Sequence, residues 1–109
     1  MVNVHAYTVN VAASTTAKSP TYSPPAGQKG KIKRIIYISD TSTFNELTFY
    51  LKIGAEQIFP RENKLVAMNL TISLNVDIDV VSGEYVEAVV TNTNTTTARN
   101  LHLIFEVEE

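Results

Sequence analysis

Two aspartates two positions apart are the residues whose types and spacing most directly suggest chemistry. Asp77 and Asp79 project from one side of an extended segment, with Asn75 before them and Glu84 shortly after. Oxygen ligands of this kind can hold Ca²⁺, which takes about six to eight of them. A strand lacks the tight loop that supplies backbone carbonyl ligands, however. The aspartates are therefore predicted to lie on a solvated sheet edge, without a metal ion.

Two histidines, His5 and His102, are the other candidate metal ligands, and they come close together only if the terminal strands pair. A catalytic zinc ion normally needs a third protein ligand, the chain has no cysteine, and the His-x-His pattern of metal-binding cupins is absent. No serine stands in a Gly-x-Ser-x-Gly turn, and no glycine-rich phosphate-binding loop exists. We therefore predict a non-enzyme with no catalytic, cofactor-binding or metal-binding residues.

Aromatic side chains offer a different chemistry, because they can stack against sugars. The chain has 5 tyrosines and no tryptophan, and Tyr50 faces outward in an alternating segment. A carbohydrate-binding module, with glycans as partners, is kept as an alternative function.

Opposite charges are segregated along the chain. Up to Ser39 the charged residues are all basic, and from Leu70 onward Arg99 is the only base. One interpretation is that oppositely charged strands become neighbours in one sheet and neutralise each other. The other is that oppositely charged surfaces meet between copies in a head-to-tail homo-oligomer. The interface predicted by the second interpretation consists of Lys29, Lys31, Lys33, Arg34, Asp77, Asp79, Glu84 and Glu87.

The overall composition argues against two classes of partner. Nucleic-acid binding usually needs a basic domain, whereas this chain has a net charge of −2 and a pI near 5.6. No apolar run approaches the roughly 20 residues of a membrane span. The first residues also lack the basic start and apolar block of a signal peptide. We expect no nucleic acid, no membrane insertion and no signal peptide.

Hydrophobic residues recur with a period of two, which is typical of strands with one buried face. The pattern is clearest over Leu70–Val80, Glu46–Ile53 and Arg99–Val107, and no segment has a period of 3.6. The sequence therefore predicts an all-β, antiparallel β-sandwich, jelly-roll-like, with about seven to eight strands. Its predicted core contains Leu47, Phe49, Leu51, Leu70, Ile72, Leu74, Leu101, Leu103 and Phe105.

Length and composition also bound the organisation of the chain. Residues 1–109 are predicted to form a single β-sandwich domain, because this length supports one modest core. Residues 12–30 are rich in Pro, Ser and Thr and are predicted to form an extended arm or loop. The strand predicted over Val2–Val11 is apolar on both faces, so we expect it to be covered in an assembly.

One arrangement of segments resembles a known group of proteins. The stretch Pro24–Ser39 combines Pro-Ala-Gly with a strand of basic residues and isoleucine, and a strand follows at Leu47–Ile53. A Gly83-Glu84 turn and a closing strand ending in glutamate at Phe105–Glu108 complete the pattern, although Gly-Asp is more usual at the turn. These features resemble small jelly-roll virion proteins of tailed phages and archaeal viruses. The resemblance implies a virion location, beside other virion proteins.

The resulting functional prediction is a non-enzymatic structural subunit of a viral particle, a capsid or tail-attached jelly roll that self-assembles. A carbohydrate-binding β-sandwich module and an intracellular adaptor domain are the alternatives. Apolar surface on a sandwich face would favour assembly, whereas exposed aromatic residues clustered at one loop end would favour glycan binding.

Overall fold

The computed structural model describes residues 2–109, so Met1, which the predicted domain includes, lies outside the described residues. The described chain contains strands and no helix, and therefore no helix that could cross a membrane. The nine strands are β1 (Val2–Val11), β2 (Thr16–Lys18), β3 (Lys29–Ser39), β4 (Leu47–Ile53), β5 (Glu56–Phe59), β6 (Leu65–Ala67), β7 (Ile72–Val81), β8 (Val86–Asn92) and β9 (Arg99–Glu108).

The strands form two antiparallel sheets that pack face to face. Sheet A has the order β1-β9-β3-β7, and sheet B has the order β2-β8-β4-β5 with β6 also paired to β4. β1, β2 and β3 thus pair with β9, β8 and β7, respectively. β9 also pairs with β3, and β8 also pairs with β4. This nesting is the strand order of a jelly roll with β6 as an addition. The predicted antiparallel β-sandwich is confirmed.

The inner faces of the two sheets meet in one core. Along β9, alternate residues from Leu101 to Val107 are fully buried, as the period of two predicts. Across the interface, Phe49 of β4 is fully buried and its ring meets Tyr37 of β3 edge-on, with centroids 4.8 Å apart. Aromatic rings favour this geometry, and burial of such large side chains supplies much of the driving force for folding.

The long alternating segment is less buried than predicted, and Leu70 is not in the core. Leu70 is 63% exposed, while Ile72, Leu74 and Ile78 are half-buried. Leu70 is exposed because the chain bends before β7 to cross from sheet B to sheet A. The three residues of β7 are only half-buried because β7 is an edge strand of sheet A, so its inner face is covered less completely.

Residues 12–30 lie against the sandwich and contain the additional strand β2. Lys18 of β2 is opposite Val89 of β8, and a further backbone bridge joins Tyr22 to Val86. Ser19 Oγ accepts a 2.8 Å hydrogen bond from the Ala88 amide, which extends this attachment. Most of the backbone pairing of this segment is with β8. Its short strand could not be seen in the sequence because it has only 3 residues.

The core arrangement predicts a large difference between two phenylalanines. Phe49→Ala should lower the free energy of unfolding by about 3–5 kcal/mol, because it leaves a cavity between the sheets. Phe44 is 73% exposed, so Phe44→Ala should change stability by no more than about 0.5 kcal/mol. Urea unfolding followed by far-ultraviolet circular dichroism measures both. Equal effects of the two substitutions would contradict the assignment of the core.

Candidate assembly surface

The charges that are segregated in sequence meet on the outer face of sheet A. Lys31 Nζ lies 3.6 Å from Asp77 Oδ1 and 3.5 Å from Asp79 Oδ1. Lys33 Nζ lies 3.3 Å from Asp77 Oδ1. Lys31 of β3 is directly opposite Asp79 of β7, so strand pairing itself brings the two signs together. We call these four residues the charged strip.

A β-bulge in β3 presents two consecutive basic side chains to solvent. The register of β3 shifts between Ile32 and Arg34 against both of its neighbours, and Lys33 and Arg34 are both exposed. An inserted residue re-aims the side chains around it. Lys33 therefore reaches Asp77 on one side, whereas Arg34 Nε lies 3.1 Å from Glu106 Oε1 on the other side, in β9.

The ion pairs of the charged strip favour the ionised form of both partners. The hydrogen bond from Lys33 and the charge of Lys31 lower the pKa of Asp77. The charges of Asp77 and Asp79 raise the pKa of Lys31. All four side chains are partly exposed, and water and salt weaken such interactions. The strip therefore adds little to the stability of the fold, and its two lysines and two aspartates balance each other in charge.

The other residues of the predicted interface lie elsewhere. Glu87 Oε1 is on β8, in sheet B, 3.2 Å from Lys52 Nζ. Glu84 Oε1 accepts a 3.0 Å hydrogen bond from the Val81 amide in the turn between β7 and β8. Lys29 begins β3 and is exposed. Oppositely charged strands are thus neighbours within one sheet, as the first interpretation described, and a charge-matched interface between copies stays a prediction.

An apolar row crosses the outer face of sheet A beside these charges. Ala6 of β1 is opposite Ile104 of β9, and Ile104 is opposite Ile36 of β3. Ala6 is exposed and the two isoleucines are half-buried. Val4, two positions before Ala6 on the same face, is 63% exposed. This part of the outer face is therefore apolar, in contrast to the charged strip beside it.

Tyr22 connects the segment between β2 and β3 to the end of the chain. Its hydroxyl donates a 2.9 Å hydrogen bond to Glu109 Oε2, and Asn3 Nδ2 donates one of 2.7 Å to Glu109 Oε1. The Tyr22 and His5 ring centroids lie 4.8 Å apart. Gly30 packs beside them, and a Cβ there would overlap the Tyr22 hydroxyl oxygen unless the Tyr22 ring moved. Sequence analysis missed this cluster because Tyr22 and Glu109 are 87 residues apart and no local pattern indicates their contact.

The contacts of Glu109 favour its charged form. The hydrogen bond from Asn3 is the largest influence on the pKa of Glu109, and together with Tyr22 and His5 it outweighs burial and lowers that pKa. Burial, followed by the hydrogen bond to Glu109, raises the pKa of Tyr22 far above its usual range. The phenol therefore remains a neutral donor at physiological pH, and the cluster holds the last residue of the chain against the sandwich.

The two histidines face opposite sides of sheet A. The terminal strands do pair, but His5 is opposite Phe105 and points inward, whereas His102 is opposite Thr8 and is exposed. Thr8 Oγ1 and His102 Nδ1 lie 3.1 Å apart. The two imidazoles cannot share a ligand across the sheet. Among residues 2–109, no group of three or more His, Asp or Glu side chains is placed to hold a metal ion.

The strongly exposed aromatic residues lie at opposite ends of the sandwich. Phe44 is 73% exposed in the loop before β4, and Tyr85 is 57% exposed in the turn before β8. The far end of β4, at Ile53, is opposite Val86 at the start of β8, so Tyr85 lies at the other end from Phe44. The described residues therefore do not gather exposed aromatic side chains in one loop cluster.

The fold and the surfaces above define an antiparallel β-sandwich with jelly-roll strand order. Neither a protein-family model nor a curated protein matches the sequence. The crystal structure of FLHE is similar, with a TM-score of 0.51 and 11% sequence identity over 99% of this chain and 98% of that chain. At this identity the similarity shows a shared fold alone.

The Glu109 cluster predicts a specific pH dependence of stability. Because the folded-state pKa of Glu109 lies below its ordinary value of about 4.3, its charge stabilises the fold above that pH. This contribution is lost as the pH falls through the folded-state pKa. Glu109→Gln should therefore lower the urea midpoint at pH 7, and the difference from wild type should shrink below about pH 4.

The matched control is Glu108→Gln, which removes the same charge from an exposed neighbouring residue while keeping the Glu109 contacts. We expect it to lower the midpoint at pH 7 less than Glu109→Gln does. Equal midpoints for the two variants across the pH range would show that the cluster contributes nothing specific to stability.

Proposed function

We propose that this chain is a non-enzymatic structural subunit of a viral particle, in a capsid or attached to a tail, that assembles with copies of itself. The observation that carries the proposal is the apolar row on the outer face of sheet A, formed by Ala6, Ile104 and Ile36 and extended by the exposed Val4. A structural sandwich functions through faces and edges that pack against other subunits, and this row supplies such a face.

The architecture supports the same function. Jelly rolls are a common design for capsid subunits, since two stacked sheets form a rigid block whose loops and faces are free for contacts. The resemblance of Pro24–Ser39 to small virion proteins points in the same direction. Association of copies at the β1 end of the apolar row would also cover part of Val4 and Ala6, which the monomer leaves in contact with water.

Carbohydrate binding is the second candidate, and one observation favours it. Tyr85 is 57% exposed and lines a shallow groove together with Glu84 and Glu87. An aromatic side chain beside carboxylates is a combination that can bind a sugar ring. The larger groove between β5 and β7, of about 480 Å³, has no aromatic lining, so of these two grooves only the one beside Tyr85 offers a ring for stacking. Assembly is therefore the stronger proposal.

Self-assembly predicts a molar mass above that of one chain. Light scattering coupled to size exclusion should give a mass larger than 12.0 kDa that rises with protein concentration, because apolar surface is buried on association. Added salt should change the mass only modestly if apolar burial supplies most of the affinity. A mass of one chain at millimolar concentration would contradict the proposal.

The viral location needs a separate measurement. Mass spectrometry of particles purified from a culture that expresses the chain should detect it in a fixed ratio to the major capsid or tail proteins. Its absence from purified particles would overturn the virion assignment, and it would leave the light-scattering result to decide on self-assembly.

A further inference from the structure

The edges of the two sheets differ in how they are protected from pairing with other strands. Proteins usually block an edge with charged side chains, proline, bulges or a very short strand. In sheet B the edge strands are short: β2 and β6 have 3 residues each, and β5 has 4 residues and is followed by Pro60. In sheet A the edge strand β7 carries Asp77 and Asp79 of the charged strip.

The remaining edge, β1, has none of these devices. It is 10 residues long, and its register with β9 runs without interruption from Val2 opposite Glu108 to Val11 opposite Arg99. Its residues include no proline, lysine, arginine or carboxylate. Within residues 2–109, β9 is its one strand partner, so the amide and carbonyl groups on its other side have no strand to pair with.

We infer that β1 pairs antiparallel with β1 of a second copy of this chain, around a twofold axis near Ala6. The inference rests on the self-assembly in the proposed function and identifies the contact responsible for it. The two copies of sheet A, each of 4 strands, would become one continuous sheet of about eight strands. Each copy would supply the backbone partners that the other lacks.

Charge favours one direction of pairing over the other. Glu106 and Glu108 flank the first part of β1, opposite Val4 and Val2, whereas His102 flanks the later part, opposite Thr8. A parallel pair would place the acidic ends of both copies side by side. In an antiparallel pair, the part of β1 next to Glu106 and Glu108 lies beside the part of the other β1 that is next to His102. The carboxylates of the two copies are then apart, which avoids repulsion between like charges.

The apolar row determines the register. With Ala6 opposite Ala6 of the second copy, the row of Ile36, Ile104 and Ala6 continues directly into the same row of the second copy. A twofold axis perpendicular to the sheet keeps outward-facing residues on the same face, so Val4 would meet Thr8 on that face. On the inner face, Tyr7 would meet His5 of the second copy, and both are half-buried in the single chain.

A cysteine at the axis tests this register. The chain has no cysteine, so one substitution introduces one defined thiol. Ala6→Cys places two thiols on directly opposed residues, at the Cα separation of about 4.5–5.5 Å that a disulfide accepts. Under mild oxidation we expect most of this variant to become a covalent dimer. The matched control is Ser73→Cys on β7, since Ser73 lies in the same row at the opposite edge and should remain uncrosslinked.

A charge at the edge tests the contact itself. Val4→Lys should reduce the light-scattering mass to that of one chain, because a lysine on each edge strand opposes pairing. Val4 points to the outer face, so circular dichroism and the urea midpoint should remain those of wild type. Ser73→Lys is the control and should keep the wild-type mass.

The outcomes separate the inference from the function on which it rests. Two results would show that the β1 contact is wrong although wild type self-assembles. One is assembly of Val4→Lys to the same extent as wild type, and the other is crosslinking of Ala6→Cys no better than that of Ser73→Cys. If wild type has the mass of one chain at every concentration, both the contact and the proposed self-assembly are wrong.

Discussion

The insertion of β9 between β1 and β3 is the constraint on which the rest of the structure depends. The last strand of the chain is bonded along both of its edges, and its inward residues Leu101, Leu103, Phe105 and Val107 are fully buried. It therefore joins the first strand to the middle of the chain and closes the jelly roll. Burial of these four side chains is strongly favourable, and it requires both neighbouring strands to be in register.

This arrangement gives the two edges of sheet A different properties. With β9 on one side of β3, the acidic strand β7 takes the other side, and Lys31 and Lys33 meet Asp77 and Asp79 within the chain. Exposed ion pairs add little stability, but charges on an edge strand discourage pairing with another sheet. The opposite edge, β1, has no Lys, Arg, Asp or Glu, and its outer face is apolar from Val2 to Ala6. Charge therefore opposes edge pairing at β7, whereas β1 has no such protection.

The sequence predicted the features that depend on local pattern and missed those that depend on topology. Period-two alternation placed Phe49 and Phe105 in the core and identified the sandwich, because a strand with one buried face shows this pattern by itself. Leu70 continued the pattern, yet the chain bends there, and alternation does not show where a strand changes sheets. The contact of Tyr22 with Glu109 and the pairing of β3 with β7 join residues distant in sequence. For the charges, the sequence left two arrangements open, and strand order shows that β3 and β7 are neighbours within one chain, while an interface between copies stays a prediction.

Hydrogen exchange of backbone amides, followed by nuclear magnetic resonance at low and high protein concentration, tests most directly whether β1 is the open edge of this sandwich. In an edge strand, alternate amides point away from the sheet and exchange rapidly with solvent. We expect these amides of β1 to become protected as protein concentration rises. The amides of β7 that point away from β3 should continue to exchange rapidly. Rapid exchange of the outward β1 amides in the assembled protein, or new protection at β7 instead, would contradict the account.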